Sequence, residues 1–361
     1  MRTQNSRSGA RQPTVRLRDV ARESGLSVAA VSRFLNGTLD LPPDTARRIK
    51  EAVALLNYRP NPHARRLSRG RTDTIGLIVP DIANPFFALL VDAVERAAEE
   101  RGTDLLVCAT RNRLSHELHE LSRLGRDYAD GLLFVTNHAD DGALAQAIGD
   151  VGKVVLLDED VPGVEAPRVF AENYRGGVLA AEHLLAAGHR RLAFLGGPRG
   201  LLSTVERFSG FAETVRSSGS SAQIVFESYD DYGAAQGQDA AERMLQAAWP
   251  ATAAFATSDE TALGVLAAAR KLSVRLPTDL SLVAFDDVGP LHLLSPPLTA
   301  IRQPVAEIGS CGVGALLDHI AGQPVPEQPR RVPVELIERA SVATPSRPRS
   351  TTRNKAVSGV A

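Results

Sequence analysis

The sequence predicts an α/β protein in two parts: a small all-α helix-turn-helix head, then a larger core of two lobes built from doubly wound parallel sheets. Three observations lead to this. The segment VRLRDVARESGLSVAAVSRFLNG carries two apolar-periodic runs joined at a Gly turn. From Thr74 onward short apolar runs alternate with amphipathic ones, as in parallel strands joined by covering helices. Charge is also divided sharply between the two parts.

In the head, Leu17, Val20 and Ala21 recur at helical spacing and mark the inner face of a first helix. Gly25 supplies the tight turn that ends it. Leu26 then points inward, and Ser27 suits the N-cap of the next helix. Val31, Phe34 and Leu35 form that helix's apolar stripe, which leaves Val28, Ala29 and Arg33 on the other face. A third helix, capped by Asp44 and running to about Leu56, closes the bundle through Ala46, Ile49, Val53 and Leu56. Two short helices meeting at a Gly turn form the unit whose second helix enters the DNA major groove. Arg33 is then suited to a forked contact with guanine. Val28 and Ala29 suit a thymine methyl or close approach, while Ser27, Ser32, Asn36, Thr45 and Tyr58 are polar groups placed to hold phosphates. The plainer alternative, a three-helix scaffold with a solvated arginine face, leaves the agreement of turn, spacing and charge unexplained.

Charge supports the same division. Residues 1–71 hold 15 Lys and Arg against 5 Asp and Glu, a net +10. The tail, 341–361, holds 4 basic residues and no acidic ones, so the stretch between has 22 basic against 37 acidic residues, a net −15. The overall charge of −1 therefore hides a basic head on an acidic body, and a polyanionic partner is expected at one end. Between head and core, Asn61 can cap a short helix that Pro62 starts. Asn61, Ala64 and Leu67 would face DNA from such a hinge helix, with Leu67 as an apolar wedge opening a base step from the minor groove. A plain flexible linker is the alternative.

In the core, the runs TIGLIVP, DLLVCAT, DGLLFVT, VVLLD, RLAFLGG, QIVFESY, AAFATS and LSLVAFDD read as strands. Helices are predicted over NPFFALLVDAVERAAEERG, 115–126, 141–149, 174–188, 205–217, 233–248, 259–271 and 304–321. So many strands favour two sheets over one. Open α/β sheets bind ligands at the carboxyl ends of their strands, and polar residues gather there: Asp81, Asn84, Phe86 and Phe87 after the first strand, Asp158 and Glu159 after VVLLD, Asp259 after AAFATS, and Asp286 at the end of LSLVAFD. Aromatic faces ringed by carboxylates and amides suit a sugar, although each of these residues also fits a helix start, cap or turn.

Other chemistries find little support. There is no G-x-x-x-x-G-K-[ST] loop, no G-x-G-x-x-G opening a helix after the first strand, and no G-x-S-x-G elbow. His116-Glu117-Leu118-His119-Glu120 has its histidines three apart rather than four and reads as a solvated helix face. Cys108 and Cys311 lie in apolar runs, lack zinc spacing, and read as buried core thiols. No cofactor or metal is expected. No run approaches 18 apolar residues, and no apolar stretch follows the N-terminal basic residues. A cytoplasmic protein associated with the nucleoid, with no membrane partner, is expected.

Taken together, RLRDVARESGLSVAAVSRFLNG, LNYRPNPHARRLSRGRT, TIGLIVPDIANPFFALL, AEHLLAAGHRRLAFLGG, SDETALGVLAAARKLSVRLPTDLSLVAFDD and PPLTAIRQPVAEIG resemble the lactose/galactose repressor family, in order, over roughly residues 15–343. The resemblance implies a core like the periplasmic sugar-binding proteins, crossed between lobes near Glu172, Ile301 and Val332. By composition residues 1–14 read as a disordered basic arm; a DNA-binding domain (15–60) and a hinge (61–71) come next. An N-terminal lobe (72–171 and 302–331), a C-terminal lobe (172–301 and 332–343) and a disordered tail (344–361) follow. By motif position, Asn84, Phe86, Phe87, Asp259, Gln303 and Arg207 would contact the effector, joined by Asp158 and Glu159. Glu159 departs from the family, which often has Arg there, and this argues against an anionic ligand group at that point.

The implied function is a sequence-specific DNA-binding regulator and repressor, controlled by a sugar-like effector and acting as a homodimer on a pseudo-palindromic operator. The tail lacks leucine heptads, so a coiled-coil tetramer is not supported. A binding protein for transport would need an export signal and no basic head. A sugar-processing enzyme would need a catalytic base or phosphate loop that the sequence does not offer.

Overall fold

The computed structural model describes residues 15–36, 39–58, 72–219 and 221–345, and the hinge residues Asn61, Ala64 and Leu67 lie outside this set. The chain divides into two compact units between Thr72 and Asp73.

The first unit is a three-helix bundle: α1 (Leu17–Ser24), α2 (Val28–Leu35) and α3 (Pro43–Leu55). Gly25 ends α1 at φ +65°, in the left-handed region where a side chain would be strained, and the Leu26 N–H then reaches back to the Ala21 carbonyl at 3.0 Å. At the start of α1, Asp19 accepts the Arg16 N–H at 2.9 Å. Ser27 caps α2 by accepting the Ala30 N–H at 3.2 Å. Asp44 does not cap α3 as expected: Pro42 occupies the cap, Pro43 the first helical position, and Asp44 lies in the first turn beside the helix's positive end. Val20, Ala21, Val31, Ile49 and Ala52 are buried at the centre, with Leu17, Leu26, Phe34, Leu35, Val53 and Leu56 packed around them.

The second unit holds two six-stranded sheets. The first contains β1 (Thr74–Val79), β2 (Asp104–Ala109), β3 (Leu132–Phe134), β4 (Val154–Leu157), β5 (Arg168–Ala171) and β11 (Arg330–Val332), in the order β11-β5-β4-β3-β1-β2, all parallel. The second contains β6 (Arg191–Gly196), β7 (Gln223–Tyr229), β8 (Ala253–Ala256), β9 (Ser281–Asp286), β10 (Thr299–Arg302) and β12 (Glu335–Ile337), in the order β12-β10-β9-β8-β6-β7. Its edge strand β12 runs antiparallel to β10, an exception to the parallel pattern. The chain passes between sheets after β5, after β10 and after β11. Arg302 thus belongs to the second sheet and Val332 to the first, each one residue beyond the boundary read from the sequence.

Each sheet is covered on both faces. α4 (Pro85–Glu99) and α11 (Val305–Ile320) bury Leu90, Val94, Ile308 and Leu316 against one face of the first sheet. α5 (Leu114–Asp127) and α6 (Ala143–Val151) cover the other with Leu121, Leu124 and Ile148. The second sheet lies between α7 (Asn173–Ala186) with α8 (Leu202–Ser217) and α9 (Ala234–Leu245) with α10 (Asp259–Lys271). α7 and α8 pack closely enough that a Cβ on Gly177 would strike the Arg207 carbonyl, and one on Gly210 the Tyr174 carbonyl. At the end of the described chain, Ser341 is sewn into the second sheet through the Leu282 carbonyl (2.6 Å) and the Thr299 N–H (2.8 Å).

Two sequence expectations need correction here. The HELHE run is not a uniformly solvated face: His116 and His119 are exposed, but Glu117 is fully buried. Its carboxylate accepts the Thr136 hydroxyl at 2.9 Å and faces His138 Nδ1 at 3.1 Å, because the helical turn that points Glu117 inward meets the loop leaving β3. Cys108 and Cys311 are half-buried rather than fully buried, each packed at the margin of a core cluster. Among the described residues no helix is long and apolar enough to cross a membrane.

Candidate functional site

Strand order decides where the cleft forms. In the first sheet β1 lies between β3 and β2, and in the second β6 lies between β8 and β7. At such switch points neighbouring connections leave for opposite faces and open a crevice at the strands' carboxyl ends. The two crevices share one cleft. From the first sheet it receives Asn84, Phe86 and Phe87 after β1, Asn137 after β3 and Asp158 after β4. From the second come Ser203 and Arg207 after β6, Tyr232 after β7, Ser258 after β8, Asp286 at the end of β9 and Gln303 after β10.

Local structure fixes each group. Asn84 caps α4, accepting the Phe86 N–H at 2.9 Å, so the next two side chains are presented at a helix start. Phe86 and Phe87 meet edge to face, centroids 5.2 Å apart, and both belong to the core cluster while lining the cleft. Arg207 is buried; its Nε donates to Asn173 Oδ1 at 2.8 Å, one Nη to the Thr257 carbonyl at 2.6 Å, and its plane lies 3.7 Å from the Phe285 ring centroid. Asp286 accepts the Gln303 amide at 2.7 Å and the Asp259 N–H at 3.3 Å. Asp158 sits at φ +66°, a left-handed conformation that Asp tolerates better than most residues.

Of the eight expected effector contacts, Asn84, Phe86, Phe87, Asp158, Arg207 and Gln303 line the cleft. Glu159 and Asp259 stand just outside the lining. The Asp259 carboxylate is occupied by the N–H groups of Asp287 (3.1 Å), Val288 (3.0 Å) and Gly289 (2.8 Å), and so secures the loop after β9. Glu159 reaches from the first lobe to α8 of the second, accepting the Ser203 N–H at 3.2 Å and the Ser203 hydroxyl. Tyr232 continues that network to Thr204 at 3.0 Å. Asp81 instead accepts the Ala83 N–H in an exposed turn. Asn137, Ser203, Tyr232 and Ser258 went unnoticed in the sequence, although each follows a strand's carboxyl end, the one signal that could have found them. Glu117 grips Thr136 and His138 on either side of Asn137 and so aims its loop.

Burial raises the acids here above the usual carboxylate range. Asp158 is pushed to about 6, with Arg207 pulling it down and Asp286 pushing it up. Glu159 rises to about 8, through burial and then the charge of Asp158. Asp259 rises to about 7, through burial and then Asp286, and Asp286 itself is raised by burial.

In the head, Ser27, Val28, Ala29 and Arg33 form the exposed face of α2, and Ser32 is half-buried beside them. Asn36 ends α2, Thr45 lies half-buried in the first turn of α3, and Tyr58 rests its ring on the bundle core.

A three-helix head of this kind and a cleft at paired switch points, carried on one chain, define a DNA-binding regulator with a ligand-sensing core. Residues 16–61 match the model for bacterial regulatory proteins of the lacI family, and residues 181–342 match the periplasmic binding protein-like domain. The chain is 32% identical over 323 residues to the ribose operon repressor of Halalkalibacterium halodurans, covering 90% of this chain and 96% of that protein. It is 31% identical over 327 residues to the transcriptional repressor CytR of Escherichia coli, covering 90% and 95%. Among solved structures it is similar to the lac repressor dimer bound to operator and the anti-inducer ONPF, with TM-score 0.81 at 27% identity over 91% of this chain and 99% of that one. The CelR–cellobiose complex gives TM-score 0.69 at 30% identity, with the same coverage. The chain belongs to the lacI family of bacterial regulatory proteins and is a helix-turn-helix transcriptional regulator.

Proposed function

We propose that this regulator is a repressor that binds a pseudo-palindromic operator as a homodimer and responds to a sugar or sugar derivative held between its lobes. It acts by binding alone, without catalysis, in the cytoplasm at the nucleoid. The observation that carries this reading is the cleft itself: two phenylalanines beside converging amide, carboxylate and guanidinium groups, on the same chain as a DNA-reading head. The names of similar proteins support the ligand class, since they include a ribose operon repressor, a cellobiose complex and a regulator with bound ribose.

In this reading Arg33 contacts a guanine edge, Val28 and Ala29 approach bases, and Ser27, Ser32, Asn36, Thr45 and Tyr58 hold phosphates. Asn61, Ala64 and Leu67 serve the hinge, with Leu67 as the minor-groove wedge. Asn84, Phe86, Phe87, Asp158, Arg207 and Gln303 hold the effector, while Glu159 and Asp259 set the surrounding structure. Cleft occupancy and operator affinity are then linked, so each changes the other by the same factor.

The test is selection of duplex fragments by the full chain, followed by fluorescence anisotropy on the selected site with and without a panel of sugars. A selected site whose affinity shifts with one sugar supports the reading. Binding to all duplexes alike, unmoved by any member of the panel, refutes it.

A further inference from the structure

The cleft is supplied unevenly with hydrogen-bonding groups, and the imbalance bears on the charge of its ligand. Among the described residues, two buried acceptor atoms in its lining, Asp158 Oδ1 and Gln303 Oε1, have no hydrogen-bond partner. Both residues are more than nine-tenths buried, at 7% and 4% exposure. A buried acceptor without a donor is costly, and a buried carboxylate more so. Asp286 shares the lining with Asp158 and is close enough for its charge to act on it.

Against these acids the lining offers, among the described residues, one cation, Arg207, whose charge already acts on Asp158 and Asp286. Two of its nitrogens serve Asn173 and Thr257, and its face rests on Phe285. An anionic ligand group placed here would meet two carboxyl groups, Asp158 and Asp286, for the single guanidinium of Arg207. A ligand that donates meets two waiting acceptors, and one that donates from a cation also relieves the repulsion between the carboxylates.

Building on the effector reading above, we propose that the buried end of this cleft is an ammonium subsite, and that the effector is a small polyhydroxylated amine of the amino-sugar class. The ammonium lies against Asp158, and an adjacent hydroxyl donates to Gln303 Oε1. Phosphorylated and carboxylated sugars are excluded.

The experiment is isothermal titration of the full chain at neutral pH with three matched sets: glucosamine, galactosamine and mannosamine; their neutral parent hexoses; and the hexose 6-phosphates. At least one amino sugar is expected to bind about tenfold or more tighter than its neutral parent, the difference between a charge-assisted and a neutral hydrogen bond, with no binding of the phosphates. Asp158→Asn keeps the shape and removes the charge; it should abolish the preference for the amine over its parent hexose. Gln303→Met removes the other acceptor without changing charge and should weaken amine and parent alike, and circular dichroism of both variants separates a general loss of fold from loss of the subsite. Parent hexoses or phosphates binding as tightly as the amines would overturn the ammonium subsite and leave the effector reading standing. Silence from all three sets, in titration and in operator affinity together, would count against both.

Discussion

Replacing Glu159 by Gln tests whether a buried acid joins the lobes in its protonated form. The folded chain holds this carboxyl at about 8, against an ordinary value of 4.5. Between those values the folded state keeps a proton that the unfolded state releases. The group's contribution is therefore fully present below about pH 4.5 and is lost as pH rises through 8. At about 1.4 kcal/mol per pH unit the interval is worth at most about 5 kcal/mol. The Asp158 charge is one cause of the rise, so part of that sum belongs to the pair, and a loss of about 2–4 kcal/mol is expected for Glu159 itself. Gln cannot ionise, yet it offers a carbonyl to the Ser203 N–H and an amide to the Ser203 hydroxyl, the two partners Glu159 holds. Urea unfolding followed by circular dichroism at pH 5, 7 and 9 should show Glu159→Gln close to wild type at pH 5 and more stable by about 2–4 kcal/mol at pH 9. Parallel wild-type and variant profiles across that range would refute the reasoning, since they would mean the carboxyl ionises as freely folded as unfolded.

Three further outcomes follow from the geometry. Arg33→Ala should weaken operator binding by about 1–3 kcal/mol and relax one base position in a competition assay; equal loss on every duplex would assign Arg33 to phosphate instead. Ser27→Ala removes the acceptor for the Ala30 N–H and should cost the head about 1 kcal/mol in thermal unfolding, with Ser27→Asp restoring most of it. Gly177→Ala places a methyl against the Arg207 carbonyl and should destabilise the core by about 1–3 kcal/mol while weakening effector binding, because α8 must move to make room; unchanged binding affinity would separate Arg207 from this contact.

Long apolar strands were legible because runs such as TIGLIV and SLVAFD are buried along their whole length. The short ones were not. β5 is RVFA, β11 is RRV and β12 is ELI, too brief for periodicity to distinguish from a loop. In the head, turn chemistry gave away Gly25 and Ser27, whereas Asp44 misled because Pro42 and Pro43 set the backbone of that helix start before any side chain could cap it. In the cleft, Asn84 and the phenylalanines stood out as a motif, but Asn137, Ser203 and Ser258 are small polar residues of a kind found after almost every strand. What selects them is strand order, which brings the carboxyl ends of β3, β6 and β8 to the crevice, and that order is a long-range property. Glu117 was hidden for a related reason: its partners Thr136 and His138 lie on a loop that only the fold brings to the helix.

The first turns of α8 make several contacts with the first lobe. Leu202 packs on the cluster beneath the first sheet, Ser203 is held by Glu159, and Glu206 is gripped twice by Arg331 of β11, at 2.6 Å each. The next residue, Arg207, lines the cleft. Cleft lining and lobe contact therefore fall on consecutive residues of one element, which Gly177 and Gly210 lock against α7. A ligand that shifts Arg207 cannot do so without also shifting Ser203 and Glu206, since close-packed helices move as bodies and not residue by residue. Two lobes joined in this way need no separate relay between a group in the cleft and their relative position: the helix that lines the cleft is the helix that bridges the lobes.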